Sequence, residues 1–297
     1  MSLASLARTH PRVVDWSIRL DRAPAAGWLA LQAAALAPTW LWMAARLRDG
    51  SDDPLGLLAL GALAVLAWHT RRDLRASPRL GWLALAMLGT IAATLLRPWL
   101  PPLVSGLLAV LALACGLSAF LPRRVALLPV AGLAVLALPL LSSLQFYAGY
   151  PLRVITAEAS RWLLAPAFSV MREGSTLFVD GRMVIVDAPC SGVQMVWLGY
   201  FSACTVALWA GRSDRDFLAR LPVVSLFVMA GNIVRNAVLV ACEGAGRPLA
   251  PWAHETLGLI VLSIVCGGIA WAVSSRRMRA AAQPFPFHGG RHVDAVA

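Results

Sequence analysis

The sequence predicts an all-α integral membrane protein of about eight transmembrane helices, with a short extracytoplasmic interfacial helix and a β-hairpin before the sixth span. Three observations predict it. Of 297 residues, 59% are hydrophobic and 14% charged, with a mean hydropathy of +0.70, whereas an ordinary soluble chain is about one quarter charged. All 26 basic residues are arginines, set singly or in small clusters between long apolar runs, and they make the net charge +11. Sorted by alternate loops, those arginines fall mostly on one side, as cytoplasmic loops require. Together these exclude a soluble globular enzyme, a disordered tail protein and a disulfide-stapled secreted module. The basic balance is a topology signal, not a nucleic-acid footprint.

In chain order, residues 1–25 carry Arg8, Arg12, Arg19 and Arg22 without an apolar h-region or small-residue cleavage site. They read as a cytoplasmic basic arm, not a removable signal peptide. Apolar stretches follow at about 26–45, 54–69, 80–96, 99–121, 125–147, 190–210, 219–241 and 254–274. A span needs roughly 17–25 residues, so 54–69 is the short one and requires tilt or a locally thinned bilayer. Trp28, Trp68, Trp82, Trp99, Trp209 and Trp271 lie near the ends of these stretches, where indole rings anchor at the interface. With the N-terminus inside, 17 arginines face the cytoplasm, 8 lie outside and Arg235 falls within a span. Residues 26–274 therefore form one transmembrane domain, and 275–297 a cytoplasmic tail.

The outer loop 148–189 is too long for a simple helix link. Leu152, Ile155, Ala159, Trp162 and Leu163 against Arg153, Glu158 and Arg161 have helical spacing with one apolar face, which predicts a helix lying in the membrane surface. The second half places Asp180-Gly181 between Gly174–Val179 and Arg182–Asp187. Asp-Gly between two β-rich runs is a hairpin signal. The hairpin leads to Pro189-Cys190-Ser191-Gly192, where the sixth span starts.

Arg235 is the residue that composition alone does not explain. An arginine at the centre of a span costs about 2.5–3.5 kcal/mol on insertion scales. Arg235 lies about 9 Å below the outer end of its span, with Asn232 one turn earlier. Either it snorkels to the outer headgroups while Asn232 glues helices, or it faces a polar cavity. Cys115, Cys204 and Cys266 are mid-span and read as small buried hydrophobes, whereas Cys242, near an outer end, has a partner thiol or a structural role as its alternatives. Cys190 occupies a first helical turn, where free N–H groups and the dipole stabilise a thiolate, or it is structural. His254, at the outer start of the last span, is an interfacial residue or a functional one. Cys190, Arg235 and His254 come from three helices and fall at one outer level. A thiol, an imidazole and a guanidinium at one depth are a nucleophile, a general acid/base and an oxyanion or thiolate stabiliser.

The stretches Ala188-Pro189-Cys190-Ser191-Gly192-Val193, Asn232-Ile233-Val234-Arg235-Asn236 and His254-Glu255-Thr256-Leu257-Gly258 resemble the three motifs of the exosortase/archaeosortase family of integral-membrane cysteine transpeptidases. The resemblance covers roughly residues 130–274. It implies Cys190, Arg235 and His254 as catalytic positions, with Asn232 supporting, and no metal or cofactor. It also implies a bacterial inner-membrane enzyme with both termini cytoplasmic and its active site on the outer face. The implied partners are the lipid bilayer and exported proteins bearing a C-terminal sorting signal. That signal is a short PEP-CTERM-like motif, often Pro-Glu-Pro, followed by a transmembrane helix and an arginine cluster. The acceptor is then an amine on a surface lipid or polysaccharide precursor, or water. Asp187 opposes a thiolate and suits contact with substrate or Arg235, whereas Glu255 is adjacent to His254 and does not face it. The rival reading is a transporter or polysaccharide-export component in which Arg235 binds an anionic substrate. Against it, the chain lacks the paired broken helices and inverted halves of transporters.

Overall fold

A computed structural model describes residues 25–50, 52–186 and 191–275. The expected basic arm and tail, Asp187, and Cys190 with the start of its motif lie outside the described residues.

The described chain is mostly helical. Helices α1 (Ala25–Ala35) and α2 (Ala37–Arg48) take the place of the first expected span and break at Leu36. Helices α3 (Gly56–Thr70), α4 (Leu80–Leu95) and α5 (Pro102–Phe120) match the next three. The fifth expected span is not one helix. Chain 125–147 divides into α6 (Leu127–Leu136) and α7 (Leu141–Leu164), bent by 95°. The break follows from Pro139, which cannot continue an α-helix and pushes the residue before it to extended backbone. The interfacial helix is correspondingly not a separate element but the second half of α7, which runs straight through Pro151.

A three-stranded antiparallel sheet comes next, β1 (Val170–Glu173), β2 (Thr176–Val179) and β3 (Arg182–Ile185), in the order β1-β2-β3. The expected hairpin is β2–β3, turning at Asp180-Gly181 with φ of 48° and 80°. Positive φ at both central residues gives the turn a twist that matches the strands. Strand β1 was not expected; it joins β2 through Gly174-Ser175. The chain closes with α8 (Val193–Trp209), α9 (Asp214–Gly244) and α10 (Pro251–Ser274).

Among the described residues three helices, α5, α9 and α10, are long and apolar enough to cross a membrane, and the bent pair α6–α7 makes a fourth if it is one span. Helices α1, α3, α4 and α8 are apolar but shorter. Of the tryptophans expected as interfacial anchors, Trp68, Trp99, Trp209 and Trp271 are exposed.

Two apolar cores position the site. The larger joins Trp197 and Cys204 of α8, Val224 and Val228 of α9, Val265 and Ile269 of α10, Leu133 of α6 and Ala59 of α3. Missing side chains set the approach. A Cβ on Gly199 would fall 2.4 Å from Val228, and one on Gly231 would fall 2.3 Å from Val265. Such small-residue notches let helices approach closely where lipid supplies no hydrophobic drive. At the far end of this bundle the buried Arg220 donates to Ala272 O, Ser275 O and Asp216 O at 3.1, 3.0 and 2.9 Å. Arg212 donates to Ser274 O. Both guanidinium groups thus satisfy carbonyls at the C-terminus of α10, where a cation also suits the dipole.

The second core lies beyond the opposite end. Leu177, Val179, Val184 and Val186 of the sheet pack on Ala237, Leu239 and Val240 of α9, with Ala157 and Leu164 of α7. Helix α9 belongs to both cores. Its 31 residues make it about 46 Å long, so it continues past the start of α8 and carries the sheet.

Candidate active site

The site residues on α9 sit where one core ends and the other begins. Asn232 and Asn236, one turn apart, turn toward α7. Asn232 Nδ2 donates to Thr156 Oγ1 at 3.0 Å and Asn236 Nδ2 to Ser160 Oγ at 2.9 Å. All four residues are buried. Arg235 points to a different neighbour. Its Nη2 lies 3.4 Å from Nε2 of His254 in the first turn of α10. A guanidinium has only donors, so the imidazole nitrogen is the acceptor across this contact. Gly258, one turn after His254, faces the same guanidinium: a Cβ there would be in ordinary van der Waals contact with Arg235 Nε and Nη2, at 3.4 and 3.5 Å.

Residues Ser191 and Gly192 bring the start of α8 to the same junction. Gly192 has φ of 82°, and a Cβ on it would fall 2.7 Å from both Cγ and Nδ2 of Asn232. Only glycine meets both demands without strain. Buried Ser191 donates to Gln145 Oε1 of α7 at 2.9 Å. Helices α7 and α9 therefore hold the first turn of α8 from two sides.

The structure thus brings Arg235 and His254 together. Asn232, expected as a supporting residue, donates to Thr156 and lies against Gly192. Cys190 lies outside the described residues, two positions before Gly192. Glu255 is exposed in the first turn of α10. Cys204 is buried in the bundle core and matches its reading as a small hydrophobe.

Sequence reasoning missed several supporting residues. Thr156 and Ser160 repeat the four-residue spacing of Asn232 and Asn236, and that doubled polar pattern was a readable signal. Gln145 and the acidic pair Asp52-Asp53 carried none. Asp53 accepts from Gln194 Nε2 of α8 at 3.1 Å, and Asp52 accepts from Ser142 Oγ at 2.9 Å. These bonds tie the α2–α3 connection to the starts of α7 and α8.

A cavity of about 210 Å³ opens beside His254, walled by Val184 and Ile185 of β3, Asn236 and Val240 of α9, and Leu249. In the outer part of α7, Glu158 binds Arg161 Nη2, Arg172 Nε and Trp162 Nε1 at 2.6, 2.6 and 2.9 Å. The Arg161 hydrogen bond, then that of Arg172, holds its carboxyl down at about 2. Among the described residues no group of three His, Cys, Asp or Glu is arranged to hold a metal ion.

Residues 42–271, more than three quarters of the chain, match the family model of the transmembrane exosortases. The chain belongs to the exosortase family. No curated protein and no solved structure matches it. As an exosortase it is a membrane protein of a protease and transpeptidase family acting on protein substrates. The three motifs that resemble the family lie inside the matched region, and the Arg235–His254 contact joins two of them.

Proposed function

We propose that this exosortase is a cysteine protease and transpeptidase of the bacterial inner membrane that cleaves the C-terminal sorting signal of exported proteins. The signal is a PEP-CTERM-like motif, an apolar helix and an arginine cluster. The observation that carries the reading is the Arg235–His254 contact at 3.4 Å, between residues 19 apart in sequence on two helices. Gly192 supports it. It packs on Asn232, one turn from Arg235, and the two-residue link back to Cys190 spans at most about 7 Å.

In this reading the chain passes the membrane about eight times, short helices included, with both termini in the cytoplasm and the site outside. The substrate helix enters between spans, and its recognition motif reaches the outer junction of the two cores. Cys190 loses its proton to His254 and its sulfur attacks the scissile carbonyl. Arg235 holds the resulting oxyanion through its planar fork of donors. His254 gives the proton to the leaving amine, leaving a thioester on Cys190. An amine of a surface lipid or polysaccharide precursor, or water, then attacks the thioester, its proton passing to His254 and back to the thiolate.

The test is processing of a co-expressed exported protein carrying such a signal. Cys190→Ala abolishes it, His254→Ala lowers it by about 10²–10⁴-fold, and Arg235→Lys by about 10²-fold or more because the fork is lost. Full cleavage by the Cys190 variant overturns the nucleophile assignment.

A further inference from the structure

Strand β3 is an edge of the sheet, and it borders the cavity at His254. Strand β3 is last in the order, and among the described residues no strand pairs with its outer side. The register fixes which groups face outward. Val186 N donates to Ser175 O at 3.1 Å, and Ile185 and Met183 stand opposite Thr176 and Phe178. Because hydrogen-bonded and non-bonded pairs alternate along an antiparallel ladder, Val184 and Arg182 bond to β2. The N–H and C=O groups of Met183 and Ile185 therefore point away from it. An open row of this kind is a template for another strand.

The cavity fits the same occupant. At about 210 Å³ it is too small for a helix, whose diameter with side chains is about 10–12 Å, but it admits a stretch of extended chain. Its lining joins Val184 and Ile185 of β3 to Asn236 and Val240 of α9, Leu249 and His254, and His254 also meets Arg235.

We infer that the substrate polypeptide binds as an added antiparallel or parallel strand on the outer edge of β3, with alternate side chains in this cavity and its scissile carbonyl delivered to His254. This is strand addition, in which main-chain bonds give affinity and alternate pockets give selectivity. It rests on the peptidase reading above and deepens it. The polypeptide is captured through its backbone, so the recognised stretch is extended and lies ahead of the membrane helix that follows it.

A photo-crosslinking experiment on the full-length chain in membranes tests this. In a Cys190→Ala background the exported reporter stays uncleaved. The reporter ends in a Pro-Glu-Pro segment, an apolar helix and an arginine cluster. p-Benzoylphenylalanine replaces Ile185, Leu249 or, on the opposite edge strand, the exposed Met171. Reporter adducts from Ile185 and Leu249 several-fold above Met171 are expected. Equal adducts at all three, adducts only from Met171, or only adducts between two copies of this chain overturn the inference. Ile185→Pro removes one outward N–H while keeping extended backbone before it, and the Leu249 adduct then falls. An unchanged Leu249 adduct also overturns edge pairing. Cleavage by the Cys190-containing parent is read separately. Adducts without cleavage sink the thiol chemistry and leave strand addition standing, whereas cleavage without the Ile185 adduct does the reverse.

Discussion

Helix α9 lives in two different surroundings, and the contrast between them locates the site. Its first two thirds lie in the helix bundle, where glycine notches at Gly199 and Gly231 admit Val228 and Val265 and the buried charge is at the far end, on Arg220. Its last third stands beside α7 and the sheet, fastened by Asn236 to Ser160 and by Ala237, Leu239 and Val240 to the strands. The first region is held by close approach of backbones, the second by a small apolar face and polar rungs. Between them runs a seam that neither core covers, and polar groups there must find each other. Asn232, Thr156, Arg235 and His254 all occupy it. A seam between two packed regions is a suitable place for chemistry, since each region fixes some of the groups.

The largest expected effect comes from a change at the seam. Gly192→Ala places a Cβ at 2.7 Å from the buried Asn232 amide and forces alanine to φ of 82°. Left-handed backbone costs about 1–2 kcal/mol and overpacking about 1–3 kcal/mol. Displacing the turn that follows Cys190 lowers reporter processing by about 10²-fold, the scale of a 1 Å misplacement. Adding Asn232→Ala opens the space and recovers part of the loss. A neutral Gly192→Ala breaks the picture of two regions meeting tightly at this point.

What could be read from sequence divides along the same line. The hairpin at Asp180-Gly181 was legible because turn chemistry is local, and its strands pair as the alternation requires. The Gly174-Ser175 turn is the same kind of signal, but Arg172 and Glu173 made β1 look like loop. Pro139 and Pro151 have opposite outcomes: the first follows the end of α6 and the second is carried inside α7, so residue type alone does not tell the two apart. In α7 the apolar residues Ile155, Trp162 and Leu163 are exposed, whereas Thr156, Ala157 and Ser160 are buried against the protein. An inside-out face of this kind fits a helix whose apolar side meets lipid. Shared depth put Arg235 and His254 at one level, but their contact was not legible, because depth along a helix does not say which neighbour a side chain meets.

A smaller effect is expected at the bundle's other end. Arg220→Met keeps apolar length but removes the donor to the Ser275 carbonyl, while Ala272 O keeps its bond from Ser275 Oγ. Unsatisfied buried acceptors cost about 1–3 kcal/mol, so the thermal midpoint of the detergent-solubilised protein falls. Processing per folded molecule stays at the parent level, because the seam is at the opposite end of α9. Loss of processing in the folded variant instead shows that the two regions of α9 act as one.

The smallest effect concerns the outer part of α7, which this reading places outside the spanning segments. The carboxyl of Glu158 is held at about 2, down from 4.5, by its hydrogen bonds to Arg161 and Arg172. A depressed carboxyl stabilises the folded state fully above its unfolded value. That contribution is lost as pH falls from about 4.5 through about 2. The bond from Glu158 to Arg172 ties α7 to β1, and the bond from Trp162 Nε1 gives a probe on the same carboxylate. Emission from the Trp162 environment, isolated by comparison with Trp162→Phe, is expected to change across that window in the parent and to be flat in Glu158→Gln. Because the group is solvent-screened, the accompanying shift in thermal midpoint is small. A parent signal that moves only near neutral pH assigns the outer region's acid sensitivity to another group, and the link between α7 and the sheet then rests on its apolar contacts.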